Sequence, residues 1–486
     1  MSKKFISRTR KFLKLENVKI GIFETVWLFA PIAIWFSFHP TMSFGQSDTL
    51  NPKLSITLIY AVILALVGLS KIWRNRCALI KDKSVWIVSI FVLWSGLSLF
   101  WTANLLRGVL TFGIVGSLFL IFLAALSGRK KLQKILPALV KVLIVMAVAM
   151  SIFAWGQMFA GVWLDQSVTL LCNGCVAEQF GFVRPNGFTI EPQFLGSLLI
   201  APALILLWKI LKQRNNWITN AVFIFISSTL IITLSRGAIF AFIISVAILL
   251  IQIFTIKNLR KISIGVGFII MSMIVALLLQ GLTTVINLNF NETFSSAIAR
   301  SLNQISMGII KINVNSGENE SKVSTDEISE SSEIESLEAE VASQQTAPNF
   351  DGYVEESTDI RLMLSRLAIK TWAENSTTMI AGVGIGGAGV AMNSKFPNEI
   401  GAREIVQNEF VEILLERGVV GTVIFVTIII GLIYKARQQK VFWAIIIAFL
   451  VQWNFFSGYP SALHIFLIFI VIFITADNKL LRATTK

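Results

Sequence analysis

With 486 residues, 55% hydrophobic and only 14% charged, and a mean hydropathy of +0.73, the chain carries more apolar surface than a soluble domain of this size can hide. The composition excludes an ordinary soluble fold and points to a polytopic membrane protein. The net charge of +14 would suit nucleic acid, but the spacing of the basic residues argues for a membrane and against that partner.

Apolar windows of about 17–25 residues, the length that crosses a hydrocarbon core, recur twelve times. They fall at roughly 20–38, 54–70, 84–102, 108–126, 136–159, 190–208, 217–234, 238–255, 262–280, 418–434, 441–456 and 461–476. Each is expected to be helical, because an isolated strand would leave its backbone unpaired in lipid. The fold predicted is an all-α membrane protein of about twelve transmembrane helices. It divides into a nine-helix part (1–280), an extracytoplasmic loop (281–417) and a three-helix part (418–486).

Basic residues mark every second connection. The tail ending at Lys19 holds seven, "KIWRNRCALIKDK" five, "GRKK" with Lys134 four, and "KILKQR", "KNLRK", "KARQQK" and "NKLLRATTK" three each. The intervening short connections hold one or none, as at Lys53, Arg107, Arg184 and Arg236. This alternation predicts a multi-pass membrane protein with both termini cytoplasmic. The first apolar segment reads as a permanent helix, since Glu24 interrupts its core and no small-x-small site follows. Glu24 and Lys141 lie inside spans near the cytoplasmic ends, where they snorkel or find partners.

His39 closes the first helix and His464 opens the twelfth, both on the outer side, and both read as anchors. Two histidines and no clustered carboxylates predict no metal site. Cys77 falls on the reducing side. Cys172 and Cys175, in "CNGC", fall outside, either as a local disulfide or as two free thiols.

"FVRPNGFTIEPQFLG" brings Arg184 and Glu191 to the start of the sixth helix, where they pair with each other or Arg184 faces a ligand. "TLSRGAIF" places Arg236 in the tight turn between the seventh and eighth helices, at the outer interface. A charge so close to hydrocarbon is a functional hypothesis by default.

The centre of the long loop is an acidic, Ser-rich insert at about 316–346 that cannot bury enough apolar area to order itself. Its second part, 358–417, is helical and site-forming. "DIRLMLSRLAIKTWAEN" puts Leu362, Leu364 or Ser365, Ile369 and Trp372 on one face, with Arg361, Arg366 and Lys370 elsewhere. "GAREIVQNEFVEILLERGVVG" reads as a second helix, and no separate soluble domain is expected. Between them, "AGVGIGGAGVA" matches G-x-G-x-x-G twice, yet it follows no strand and opens no βαβ unit. It reads as a tight turn, or as a turn that also touches a phosphate. No cofactor is expected.

"VRPNGFTIEPQFLGSLL", "TLSRGAIFAF", a large late outer loop, then "GVGIG" and "QNEFVEILLERGVVGTVIF" together resemble the bacterial O-antigen ligase and O-antigen polymerase family. The resemblance implies a fold similar to polyprenyl-dependent integral-membrane glycosyltransferases, at work in cell-surface polysaccharide biosynthesis. It implies an undecaprenyl-pyrophosphate-linked glycan donor, a glycan or lipid acceptor, and metal-independent transfer outside the plasma membrane. By the same resemblance, Arg184, Arg236 and Arg361 or Arg366 match the arginines that hold pyrophosphate. Asn408 matches the Asn of a His-Asn pair, and Gly418 with Gly421 a Gly-x-x-Gly helix start. The chain departs from the pattern at Gln407, where many members have His. Gln orients a hydroxyl but takes no proton, so Glu409 or another carboxylate is expected to serve as base, or little base help is needed. The rival expectations are a transporter or lipid-linked oligosaccharide flippase, and a catalytically silent member of the same fold.

Overall fold

A computed structural model describes residues 20–37, 41–43, 53–161, 164, 166–171, 183–212, 216–254, 258–286, 294–305, 350–402, 404–457 and 462–476. His39, Cys172, Cys175 and the acidic insert at 316–346 lie outside the described residues.

The helices are α1 (Ile22–Ala33), α2 (Ile56–Arg74), α3 (Arg76–Ile80), α4 (Lys83–Leu97), α5 (Leu105–Ser127), α6 (Arg129–Ala160) and α7 (Gln166–Thr169). They continue with α8 (Pro192–Lys212), α9 (Trp217–Ile232), α10 (Arg236–Ile253), α11 (Leu259–Ile286) and α12 (Phe294–Ile305). Last come α13 (Phe350–Trp372), α14 (Ser376–Ala381), α15 (Ala388–Lys395), α16 (Glu409–Ala436), α17 (Lys440–Gln452) and α18 (Leu463–Thr475). A 3-10 turn, Ser98–Trp101, extends α4, and two three-residue strands, β1 (Thr41–Ser43) and β2 (Lys53–Ser55), pair antiparallel.

Every predicted span coincides with a helix. Among the described residues, eight segments are long and apolar enough to cross a membrane: α2, α4 with its 3-10 turn, α5, α6, α8, α10, α11 and α16. The other four predicted spans are the shorter apolar helices α1, α9, α17 and α18. α8 is the central helix. Its apolar window is 78% buried against 22–44% in the other seven, and α9, α10 and α17 pack around it. Exposed Ile, Leu and Phe side chains elsewhere, such as Leu66, Leu93 and Ile430, suit a lipid-facing surface.

The basic connections gather at one end of the bundle. Asn75 Nδ2 donates to Ser127 O (3.2 Å), and Arg129 Nε and Gln133 Nε2 both donate to Ile474 O (3.0 and 2.9 Å). Lys440 Nζ donates to Gln252 O. Buried Glu24 belongs to this end: Lys131 lies 2.9 Å from its carboxylate, which also accepts from the Gly21 N–H (2.8 Å).

The loop before α16 differs from expectation in three ways. Two short helices, α14 and α15, stand between the two predicted ones, and the second predicted helix begins only at Glu409 and runs on into the tenth span as α16. Asn408 sets that start: its Oδ1 accepts from the Phe410 and Val411 N–H groups (3.1 and 3.2 Å) and caps the helix. The segment also has a small apolar core of its own, built from Leu364, Leu367, Ala368, Met392, Val406 and Leu415. The buried stripe of α13 is therefore Leu364, Leu367, Ala368 and Thr371, while Leu362 and Ile369 are exposed. The helical period was legible, but in a membrane protein apolar residues also face outward, so hydrophobicity alone did not identify the inner face.

Candidate functional site

At the end opposite the basic connections, the sequence "VRPNGFT" folds into a fastened turn. Asn186 Nδ2 donates to Thr189 O (2.6 Å) and Thr189 Oγ1 returns a bond to Asn186 O (2.7 Å). Gly187 takes a positive φ of 61° and is clamped by buried Gln157 of α6, which accepts from its N–H (2.7 Å) and donates to its carbonyl (3.2 Å). Arg184 leaves this turn half-buried. Its Nε donates to Thr233 O (3.1 Å) and an Nη to Leu234 O (3.5 Å), the carbonyls that close α9. A cation at a helix C-terminus is favoured by the helix dipole. Glu191, its predicted alternative partner, is exposed and accepts from Gln193 Nε2 (2.6 Å).

Arg236 stands two residues beyond Leu234, as the first residue of α10, half-buried. There the helix dipole opposes a cation, so the stability of α10 gives no reason for an arginine at this position. The turn that presents it is strained, with Leu234 at φ 48°. Gly237 lets the turn close on the segment after α17: a Cβ at Gly237 would lie 2.6 Å from the Cβ of Phe455.

That segment carries the contact onward. Trp453 O accepts from the Glu409 N–H (2.9 Å), and Ser457 Oγ donates to the carboxylate of Glu412. Glu409 follows Asn408 and Gln407, and Gln407 Oε1 accepts from Arg361 Nε of α13 (3.1 Å). Contacts therefore link, segment by segment, the turns that carry Arg184 and Arg236, the residues after α17, the Gln407–Asn408–Glu409 turn and Arg361. Arg366 is not in it; it lies on the exposed side of α13. Of the two loop arginines the sequence offered, the fold brings Arg361 to the turn.

The glycine stretch joins α14 to α15 and is wedged between α16 and the 98–108 segment. Gly382, Gly384 and Gly386 have φ of 76°, 89° and 74°. A Cβ on Gly384 would lie 2.3 Å from Thr102 Cα. The backbone donors are spent on the protein itself. The N–H groups of Val383 and Gly384 bond Leu415 O and Glu416 O (both 2.9 Å), that of Ile385 bonds Ser98 Oγ (3.1 Å), and that of Gly386 bonds Glu416 Oε1 (2.8 Å). At Gly386 a carboxylate of the chain takes the place an anion would need.

Several polar groups here went unassigned in the sequence. Glu416 and Arg417 are both 2% exposed, with Arg417 Nη1 3.4 Å from Glu416 Oε2 and Arg417 Nε donating to Ser95 Oγ (3.1 Å). Arg107 and Glu412 also interact electrostatically with Glu416. Gly418, at φ 64°, breaks α16 just after this pair. Glu409, Glu412 and Glu416 share one helical face by spacing, a signal the sequence did carry. His464 is buried at 1% and its Nε2 lies 2.7 Å from Ser197 Oγ of α8. Below Arg417, whose guanidinium stands 5.5 Å from the Phe91 ring, an apolar crevice of about 170 Å³ runs between α4, α5, α16 and α18. No family model matches this sequence, and neither does any curated protein.

Proposed function

We propose that the protein transfers a glycan from an undecaprenyl-pyrophosphate carrier to an acceptor on the outer face of the bacterial plasma membrane, as an O-antigen ligase or polysaccharide polymerase does. In this reading all twelve apolar helices span, the basic end and both termini face the cytoplasm, and the α13–α15 cap faces outside.

The observation that carries it is the contact run from Arg184 through Arg236 to the Gln407–Asn408–Glu409 turn and Arg361. It links the segments that carry three arginines and a set of carboxylates, at the end of the bundle remote from the basic connections. A lipid-linked donor enters sideways from the bilayer, so its pyrophosphate meets protein at this level. The acceptor hydroxyl oxygen attacks the anomeric carbon while the bond from that carbon to the pyrophosphate oxygen breaks, and the bonding pair leaves with the pyrophosphate. The hydroxyl proton passes to a carboxylate of the turn or to the departing phosphate. Negative charge grows on the leaving group as the bond breaks, and fixed cations stabilise that change most. The reading calls for no cofactor.

The test is transfer by the purified full-length chain in lipid nanodiscs, from an undecaprenyl-pyrophosphate glycan, together with a gel of surface glycans from a deletion strain. Polymer retained on its lipid carrier marks a ligase; single repeats still attached mark a polymerase. Unchanged surface glycan in the deletion strain and no transfer in nanodiscs would remove the reading.

A further inference from the structure

We propose that Gln407 is a positioning residue for the donor: it holds the Arg361 guanidinium toward the pyrophosphate and takes no part in deprotonating the acceptor. This deepens the transferase reading and rests on it.

The argument begins with the backbone. Gln407 has φ 55°, in the left-handed region that glycine occupies freely and asparagine tolerates, and that a glutamine adopts only at a cost. Its neighbours explain the turn. Val406 is fully buried in the small core of the cap, while Asn408 must swing back to cap α16. A reversal between them is obligatory, and glycine would supply it with less strain. The sequence keeps a long side chain there, so the side chain has work that offsets the strain.

That work is visible. Oε1 of Gln407 accepts from Nε of Arg361, 46 residues earlier. α13 is anchored to the cap through Leu364, Leu367 and Ala368, which fixes where Arg361 emerges. Of the two arginines on this part of α13, the half-buried Arg361 meets the turn and the exposed Arg366 does not. An amide oxygen is suited to the task, since it accepts a guanidinium hydrogen without neutralising the cation. A carboxylate at 407 would hold Arg361 equally well and cancel its charge. The chemistry that fits Gln407 is therefore holding Arg361 at a defined place without itself adding a counter-charge, which serves an anionic leaving group.

The experiment uses the full-length chain in nanodiscs, with steady-state transfer at varied donor, and displacement of the bound donor by inorganic pyrophosphate. Gln407→Gly relieves the backbone and removes the amide. Gln407→Asn tolerates the turn but is one methylene too short to reach Arg361. Gln407→Glu keeps the contact and cancels the charge. All three are expected to raise the donor KM about tenfold or more, the loss of one hydrogen bond to a charged group or of its charge. Pyrophosphate affinity should fall in parallel, kcat/KM for the donor should fall at least as far as KM rises, and the pH–rate profile should stay unmoved. Gln407→Gly added to Arg361→Ala should make the donor KM no worse. Wild-type donor kinetics in both Gln407→Gly and Gln407→Asn overturn the proposal. So does a Gln407→Glu enzyme that gains kcat with a new acid limb in its pH profile, which would assign position 407 to proton transfer. Full transfer in Arg184→Ala and Arg236→Ala would defeat the parent reading. Loss of transfer in those two, beside unchanged Gln407 variants, defeats the positioning role alone.

Discussion

The carboxylate of Glu416 sits in the cradle of the glycine turn, accepting a 2.8 Å hydrogen bond from the Gly386 N–H. A motif that reads as a phosphate loop is thus filled by a side chain of the same protein, 30 residues away, and it locks the cap to α16 just above the break at Gly418.

The glycines are expected to be structural. Gly384→Ala meets both a Cβ contact of 2.3 Å and a φ of 89°. It should cost about 2–4 kcal/mol, the sum of overpacking and left-handed strain. Gly401, exposed and with open space around its missing Cβ, is the control, and its alanine variant should stay within about 0.5 kcal/mol. Thermal unfolding of the detergent-purified chain separates the two; equal midpoints would contradict the wedge described between α16 and the 98–108 segment.

The buried pair beneath it should behave as a unit. Arg417→Met leaves the Glu416 carboxylate buried beside Glu412, and breaking such a pair costs about 3–5 kcal/mol. The double variant Glu416→Gln, Arg417→Met keeps an acceptor for the Gly386 N–H and removes both charges, so it should regain most of that loss. Additive losses would mean that the two side chains do not depend on each other.

Arg184→Ala and Arg236→Ala should each reduce transfer about 10²–10³-fold, the scale of one lost transition-state donor, while the protein still inserts and accumulates. Arg361→Ala should join them; Arg366→Ala, on the exposed side of α13, should fall within a few-fold of wild type. Surface-glycan gels read all four, and a ranking with Arg366 above Arg361 would contradict the contact run through Gln407.

His464 is a structural residue. Its side chain is 1% exposed and engaged with Ser197, which is itself fully buried. His464→Gln, which can still bond Ser197, should retain transfer; His464→Ala should lose about 1–3 kcal/mol of stability, the cost of an unsatisfied buried hydroxyl. Abolished transfer in a stable His464→Gln protein would make the ring the missing base.

Deletion of 316–346 should leave transfer and accumulation near wild type, because so polar and acidic a stretch cannot build a core. Surface-glycan profiles of the deletion variant decide it.

The sequence by itself determined the twelve apolar helices and where they lie along the chain. Hydropathy over a span-length window is a local property, and a backbone in lipid must satisfy its own hydrogen bonds, so each apolar window had to become a helix. The cap start at Asn408 was less legible, since "GAREIVQN" has helical pattern, but Gln407 turns at φ 55° and Val406 is drawn into the core of the cap. The tertiary structure alone decided which arginine reaches the turn, what the glycine N–H groups hold, and that the Glu416–Arg417 pair is buried. Those depend on contacts between groups far apart in the chain, such as Ile385 with Ser98 across 287 residues. No periodicity in a single segment encodes such a meeting; it exists only once the helices have packed.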